Sequence, residues 1–282
     1  MKIGIIGNGF VGKATRQLEC ESIETLAYDI NPELCVPPGL TLEDMKACDI
    51  IFVSVPTPMN KDGSCYLNIV YTVLDNLKAV GYEGFVVMRS TVPVGTCDGL
   101  SCYFMPEFLT EKNFIYDFIN NKNWIFGLLG QTAERDEDFK RVITQLIQLA
   151  QDAGKVVYNR ITFLTNKEAE MVKMFRNCYL SAKVSFCNEV FEFCQVKGME
   201  YDNIRQIACD DERIMLSHTA VPGHDGKRGF GGTCFPKDTS SLRYEMTKSG
   251  MVPILLNAVI ERNETVDRVE KDWNDNLGRA VV

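Results

Sequence analysis

The sequence predicts an α/β fold: a doubly wound parallel sheet at the N-terminus, followed by a mostly helical domain built on one long helix. Three observations predict it. Strand-like and helix-like segments alternate over residues 1–160. The strand-like segments are continuous apolar runs, the pattern of strands buried on both faces. From the Thr165-Asn166-Lys167-Glu168 capping box to Gly198 there is no glycine or proline, so one helix of more than thirty residues is expected.

In order, Lys2–Ile6 reads as a strand with a glycine turn behind it, and a helical pattern runs from about Gly12 to Glu19. Thr25–Asp29 is strand-like, Leu42–Ala47 a brief helix, and Ile50–Val55 a β-branched run cut by Pro56. Ile69–Val80 has helical spacing, Phe85–Met88 is a strand, and Cys102–Phe104 and Trp124–Leu129 are further strands. The apolar positions Phe139, Val142, Ile143, Leu146, Ile147 and Ala150 make Arg135–Ala153 an amphipathic helix stopped at Gly154. Val156–Tyr158 is read as the final strand. After the long helix come a helix over about Tyr201–Cys209, a glycine-rich loop from Gly223 to Gly232, and helices from about Asp238 and from Pro253. The expected domains are 1–160 and 161–282. A helix as long as the one predicted commonly bridges domains or builds a dimer.

The 282 residues carry a net charge of −8, 45% apolar residues and no long basic run. Nucleic acid and anionic membranes reward clustered positive charge, so neither is an expected partner. No apolar stretch reaches the length of a membrane span, and the N-terminus lacks the pattern of a signal peptide. The chain is expected to be cytoplasmic, with its eleven cysteines reduced. Two histidines and no CxxC pair argue against a zinc site, so no metal is expected; the absence of a GxSxG elbow argues against a serine hydrolase.

Four features carry chemistry. Gly7-Asn8-Gly9-Phe10-Val11-Gly12 is a GxGxxG between a strand and a helix, with Asp29 at a strand end 22 residues beyond Gly7. Such glycines let the backbone approach a pyrophosphate; Asp29 can accept the ribose hydroxyls and would repel a 2′-phosphate, which favours NAD over NADP. A glycine turn without a ligand is the alternative. Second, loops at strand C-terminal ends carry hydroxyls and carboxylates: Val55-Pro56-Thr57, Arg89-Ser90-Thr91 and Pro106-Glu107-Phe108-Leu109-Thr110-Glu111. Each alone is compatible with ordinary turn chemistry. Third, Gly229-Phe230-Gly231-Gly232-Thr233-Cys234-Phe235-Pro236-Lys237-Asp238 presents a cysteine beside a cation, which lowers a thiol's pKa and favours a nucleophile over a merely buried thiol. Fourth, Glu170, Lys173 and Asn177 lie on the long helix, the last two at i and i+4, either as a solvated stripe or facing a buried site.

Together these motifs resemble the UDP-glucose/GDP-mannose dehydrogenase family, from residue 1 to about 270. The Gly-Phe-Gly-Gly-Thr-Cys-Phe-Pro-Lys-Asp block and Ser90-Thr91-Val92-Pro93-Val94-Gly95-Thr96 are the most specific parts. The resemblance implies a Rossmann-like NAD-binding domain and two-step oxidation of the C6 alcohol of a nucleotide sugar. It casts Cys234 as the nucleophile that captures an aldehyde, then carries a thioester. It casts Lys173 and Asn177 as oxyanion stabilisers, Asp238 as acting with Lys173 in proton removal, Glu107 as the base for hydrolysis and Thr91 as its helper. Substrate contacts by resemblance are Glu107, Phe108, Leu109, Glu111, Lys173, Asn177, Arg213, Phe230 and Gly231. Cofactor contacts are Gly7 to Gly12, Asp29, Val55, Pro56, Thr57, Ser90 and Thr91.

Against the family pattern, Lys112 replaces a glycine, Arg89 stands where lysine is common and Arg176 where a small residue is common. Members continue into a C-terminal domain that grips the nucleotide, and the sequence ends at Val282, so that domain is expected to be lacking. Two other readings stay open: a β-hydroxyacid dehydrogenase acting on a small acid, and a non-catalytic relative that binds NAD and dimerises.

Overall fold

The computed structural model describes residues Met1–Val282. The chain divides into two compact units, one made of Met1–Thr57 and Leu67–Lys173, the other of Pro58–Tyr66 and Met174–Val282.

The first unit holds a single seven-stranded sheet. Its strands are β1 (Lys2–Ile6), β2 (Glu24–Tyr28), β3 (Ile50–Val53), β4 (Phe85–Met88), β5 (Tyr103–Phe104), β6 (Trp124–Leu128) and β7 (Ile161–Thr165), in spatial order β2-β1-β3-β4-β5-β6-β7. Helices α1 (Phe10–Thr15), α2 (Asn68–Ala79), α3 (Thr96–Leu100), α4 (Phe114–Ile119) and α5 (Ala133–Asp152) connect them. The continuous apolar runs are explained by burial on both faces. Ile3, Phe52, Val87, Trp124 and Phe126 pack with Phe139, Ile143 and Leu146 of α5. Their neighbours in sequence, Ile51, Val53, Met88 and Ile125, pack in the opposite layer with Val70 and Leu77 of α2.

The sheet is the expected doubly wound one with a difference. Pairing is parallel from β2 to β5 and between β6 and β7, but β5 meets β6 antiparallel at Phe104 and Gly127. An apolar run specifies burial and carries no strand direction. Val156–Tyr158 is not the final strand. It lies in a loop, with Val156 buried and Val157 and Tyr158 exposed, and the edge strand is Ile161–Thr165, paired along its whole length with Trp124–Leu128. The β-branched pair at 156–157 imitated strand chemistry, while a single buried side chain is enough to anchor a loop.

The long helix α6 (Asn166–Lys197) has 32 residues. Its start is the capping box read from the sequence: the Glu168 N–H donates to Thr165 Oγ1 (3.3 Å), and Glu168 accepts from the Thr165 N–H at 2.9 Å. Residues of α6 up to Lys173 belong to the first unit and the remainder to the second. The second unit adds α7 (Tyr201–Ala208), α8 (Phe235–Lys248), α9 (Ile254–Arg262) and a π-helical turn over Asn263–Asp267. Its arm Pro58–Tyr66 is fixed by a backbone pairing in which the Met59 N–H donates to Ala280 O (2.8 Å) and the Val282 N–H to Met59 O (3.1 Å). No helix is long and apolar enough to cross a membrane.

Candidate functional site

In the first unit, strand order reverses between β1 and β3, the position at which doubly wound sheets open a ligand crevice. The GxGxxG turn sits there. Gly7 has φ +90°, and a Cβ on it would stand 2.6 Å from Ser54 O behind β3. A Cβ on Gly12 would strike Gly7 O, whereas one on Gly9 would meet nothing within 4 Å. The first and third glycines therefore close the turn, and the second faces open space ahead of α1. Asp29 follows β2 and accepts from the Asn8 N–H (2.7 Å) and the Asn31 N–H (2.9 Å). A carboxylate fixed at a strand end beside an unobstructed glycine backbone fits the ribose and pyrophosphate of a dinucleotide. Phe10 stacks edge-on against Phe114 and Val11 is half-buried, so both anchor α1.

The hydroxyl-rich loops behind β3 and β4 are tied to one another. Ser90 Oγ donates to Val55 O (2.6 Å) and Thr57 Oγ1 to Thr91 O (2.7 Å), holding Pro56 in the bend; Thr57 and Thr91 are buried. Glu170 accepts from the N–H groups of Gly95 (2.5 Å) and Cys97 (2.8 Å) at the start of α3. Burial pushes its carboxyl up and these bonds oppose the shift. Its helical spacing with Lys173 thus reflects support of the Ser-Thr-Val-Pro-Val-Gly loop.

Glu107 and Lys173 form a buried ion pair, with Lys173 Nζ 2.6 Å from Glu107 Oε1 and side-chain exposures of 5% and 6%. Lys173 Nζ also donates to Glu107 O at 2.8 Å, and the Leu109 N–H donates to Glu107 Oε2 at 2.9 Å. Burial works to raise the Glu107 carboxyl, but Lys173, the Leu109 N–H and the charge of Arg89 overcome it, so it is held below the ordinary glutamate value. The Lys173 ammonium lies 5.8 Å from the centre of the half-buried Phe108 ring. Leu109 is half-buried and Glu111 exposed.

In the second unit, Cys234 caps α8, and its carbonyl accepts the Asp238 N–H (2.9 Å). The helix starts earlier than the expected Asp238 because Pro236 is tolerated in its first turn. Lys237 Nζ donates to Asp238 Oδ1 (2.5 Å), and Asn177 Nδ2 donates to Asp238 Oδ2 (2.6 Å). Both Asn177 and Asp238 are buried. Burial would lower the Lys237 ammonium's pKa, yet the charges of Asp238, Cys234 and Cys65 hold it above the ordinary lysine value. Phe230 is buried in the glycine-rich loop, with Gly231 beside it. Arg213 is exposed and paired to Asp211, its Nε 2.9 Å from Oδ1.

Each unit thus assembles its own polar cluster: Glu107 with Lys173, and Asn177 with Asp238, Lys237 and Cys234. Lys173 and Asn177 are one turn apart on α6. Arg213 joins neither. Arg89 heads the Arg89-Ser90-Thr91 loop and departs from the family pattern. It is buried, donates from Nη1 to Thr15 Oγ1 and lies 5.4 Å from the Phe118 ring centre. Burial lowers its guanidinium to about 10. Asn263 is also buried, and no motif signals it. No group of three or more His, Cys, Asp or Glu side chains is placed to hold a metal ion.

A glycine turn at the switch point, with an acidic residue after β2, defines a dinucleotide-binding unit of the dehydrogenase type. The comparisons with known proteins specify it. Residues 40–147 match the NAD-binding domain of the UDP-glucose/GDP-mannose dehydrogenase family, and residues 167–265 match its central domain. The chain belongs to the UDP-glucose/GDP-mannose dehydrogenase family, and its cofactor is NAD. It is 31% identical over 262 residues to the UDP-glucose 6-dehydrogenase TuaD of Bacillus subtilis, covering 84% of this chain and 52% of that one. It is 29% identical over 235 residues to a UDP-glucose 6-dehydrogenase of Rickettsia bellii, covering 79% and 50%. The fold matches that of a UDP-glucose dehydrogenase from Pyrobaculum islandicum with a TM-score of 0.77 at 25% identity, over 93% of this chain and 68% of that one. The chain spans about half the length of the curated relatives it matches.

Proposed function

We propose that the chain oxidises the C6 alcohol of a nucleotide sugar, UDP-glucose to UDP-glucuronate, through a covalent intermediate on Cys234. NAD, when bound, accepts a hydride in each of two oxidations. The protein's residues do the rest. Asp238, with Lys173 and a water, takes the alcohol proton in the first oxidation, leaving an aldehyde. The Cys234 thiolate adds to that aldehyde carbon, forming a C–S bond and a thiohemiacetal. Loss of a second hydride and a proton leaves a thioester. Water activated by Glu107, with Thr91 assisting, adds to the thioester carbon, and the C–S bond breaks to release the acid and the thiol. Lys173 and Asn177 stabilise the oxyanion that develops at C6, an effect that a preorganised, water-poor setting strengthens.

The observation that carries this reading is the environment of Cys234. It caps the 14-residue helix α8, and the Lys237 ammonium, three residues on, stays charged despite burial. Both features favour thiolate over thiol. The buried Glu107 carboxylate, held low by Lys173, supports its role as a base that is ionised at neutral pH.

The proposed substrate contacts are Glu107, Phe108, Leu109, Glu111, Lys173, Asn177, Phe230 and Gly231. Arg213 is proposed to reach the substrate of a partner copy, in keeping with its exposure. The partner is a second copy through α6: Phe175, Tyr179, Phe186 and Phe193 are exposed, and the last three recur every seven residues, the repeat of a helix–helix seam. A reducing compartment, the cytoplasm, is in keeping with the eleven cysteines of the sequence. The test is NADH production across a panel of UDP- and GDP-sugars. UDP-glucose should yield two NADH per sugar oxidised, and no turnover on any nucleotide sugar would favour a binding protein without catalysis.

A further inference from the structure

The glycine-rich loop before Cys234 is held by a part of the chain to which no role has been given. After α9 the helix widens into a π turn, where the Arg268 N–H donates to Asn263 O at 2.8 Å. π turns are rare and turn side chains away from the face that an α-helix would give them. Here the turn faces the loop. The Phe230 N–H donates to Asn263 Oδ1 (2.8 Å), and Asn263 Nδ2 donates to Phe230 O (2.9 Å). One buried amide side chain therefore replaces both backbone partners that Phe230 would have had in a sheet. The next residues of the turn complete the seat. A Cβ on Gly229 would collide with Asn263 Oδ1 and stand 3.0 Å from Asp267 Cβ. A Cβ on Gly231 would stand 2.5 Å from the Arg268 guanidinium carbon. Arg268 is itself fixed, 2.6 Å from Asp225 and 2.8 Å from Asp272.

These contacts also explain two of the loop's glycines by what lies beneath them. Gly229 lies against the π turn and Gly231 against the Arg268 side chain that follows it, so a side chain at either position would displace the loop or the group beneath it. Phe230 is four residues before Cys234. A loop with no strand or helix of its own would otherwise sample many conformations, each placing the thiol differently.

We propose that Asn263 is a positioning residue: through its paired hydrogen bonds to Phe230 it fixes the glycine-rich loop, and so the placement of the Cys234 thiol for attack on substrate. The proposal rests on Cys234 being the nucleophile. It assigns to the π turn the task of holding the loop still.

Asn263→Asp keeps the shape, removes the donor to Phe230 O and sets a carboxylate against that carbonyl. Losing such a buried bond should change rates by about tenfold. In the whole protein, alkylation of Cys234 by iodoacetamide, read by mass spectrometry of its peptide, should accelerate by about that factor. kcat for UDP-glucose should fall comparably, with KM for NAD unchanged. Should the variant not fold, hydrogen exchange in the unaltered protein tests the same point. The Phe230 amide, with a side chain as its acceptor, should exchange about a thousandfold more slowly than an exposed loop amide. Unchanged alkylation and kcat in a folded variant, or Phe230 exchange at the exposed rate, would overturn the clamp. The alkylation and exchange readouts need no turnover. Undiminished turnover in Cys234→Ser would instead overturn the nucleophile, leaving the clamp to be judged on those readouts alone.

Discussion

Lys173 and Glu107 show how a single buried pair can serve two ends. The pair holds Glu107 ionised, and it neutralises two charges that burial would otherwise make costly. Lys173→Met should therefore destabilise the protein by about 3–5 kcal/mol at neutral pH, because Glu107 is left buried without its partner. The sign of the pH dependence follows from the direction of the shift. In the unaltered protein the Glu107 carboxyl is depressed, so its contribution is complete above the unfolded value of about 4.3 and is lost as pH falls through the lower folded value. In the variant, burial dominates and raises the carboxyl, so the penalty shrinks as pH falls and the carboxyl protonates. Thermal melts of both proteins between pH 4 and 8 should converge toward the acid end. A constant gap across that range would mean that Glu107 does not titrate as described. At this scale much was legible. Lys173 and Asn177 stood out because their i, i+4 spacing interrupts an apolar helix, and Cys234 because glycines and a Pro-Lys-Asp flank it. The partners were not legible. Nothing in the sequence says that Lys173 meets Glu107, 66 residues away, or that Asn177 meets Asp238, 61 residues away.

Elements were legible where periodicity or capping chemistry specified them, and less so elsewhere. The start of α6 was readable to the residue because a capping box is a local device whose donors and acceptors lie three residues apart. Thr165→Ala should lower stability by about 1 kcal/mol. A melting temperature lower by about 2–4 °C, with NAD affinity unchanged, is the expected result. α5 was equally clear, since one apolar stripe buries Phe139, Ile143, Leu146, Ile147 and Ala150. The short helices α3 and α4 escaped notice: five and six residues complete too few turns to show a period. The strand assigned to Val156–Tyr158 failed because intrinsic preference is a weak guide beside pairing, and the paired partner of β6 was Ile161–Thr165. The π turn at Asn263–Asp267 has no sequence signature. Its first residue bonds to a loop more than thirty residues earlier.

For the whole molecule, the fold class was legible because alternating strand and helix segments admit few arrangements, and strands buried on both faces require layers on each side. The antiparallel junction of β5 and β6 was not, as direction is decided by where the chain re-enters the sheet. The exposed seam along α6 belongs to this scale too. Rings at Phe175, Tyr179, Phe186 and Phe193 leave apolar area in water along one helix, as expected of a surface that a partner covers. Phe186→Asp should shift the protein from dimer to monomer in sedimentation velocity. A monomer before substitution would refute the proposed pairing. In the proposed reaction, Cys234 carries the sugar as a thioester that Glu107 helps to hydrolyse. The most direct measurement is intact-protein mass spectrometry of Glu107→Gln, acid-quenched during reaction with UDP-glucose and NAD. An added mass of one UDP-glucuronyl group is expected, mapped to the Cys234 peptide and absent from Glu107→Gln/Cys234→Ser. Oxidation of the sugar to the acid by the unaltered protein, with no adduct on Cys234 in either protein, would contradict it.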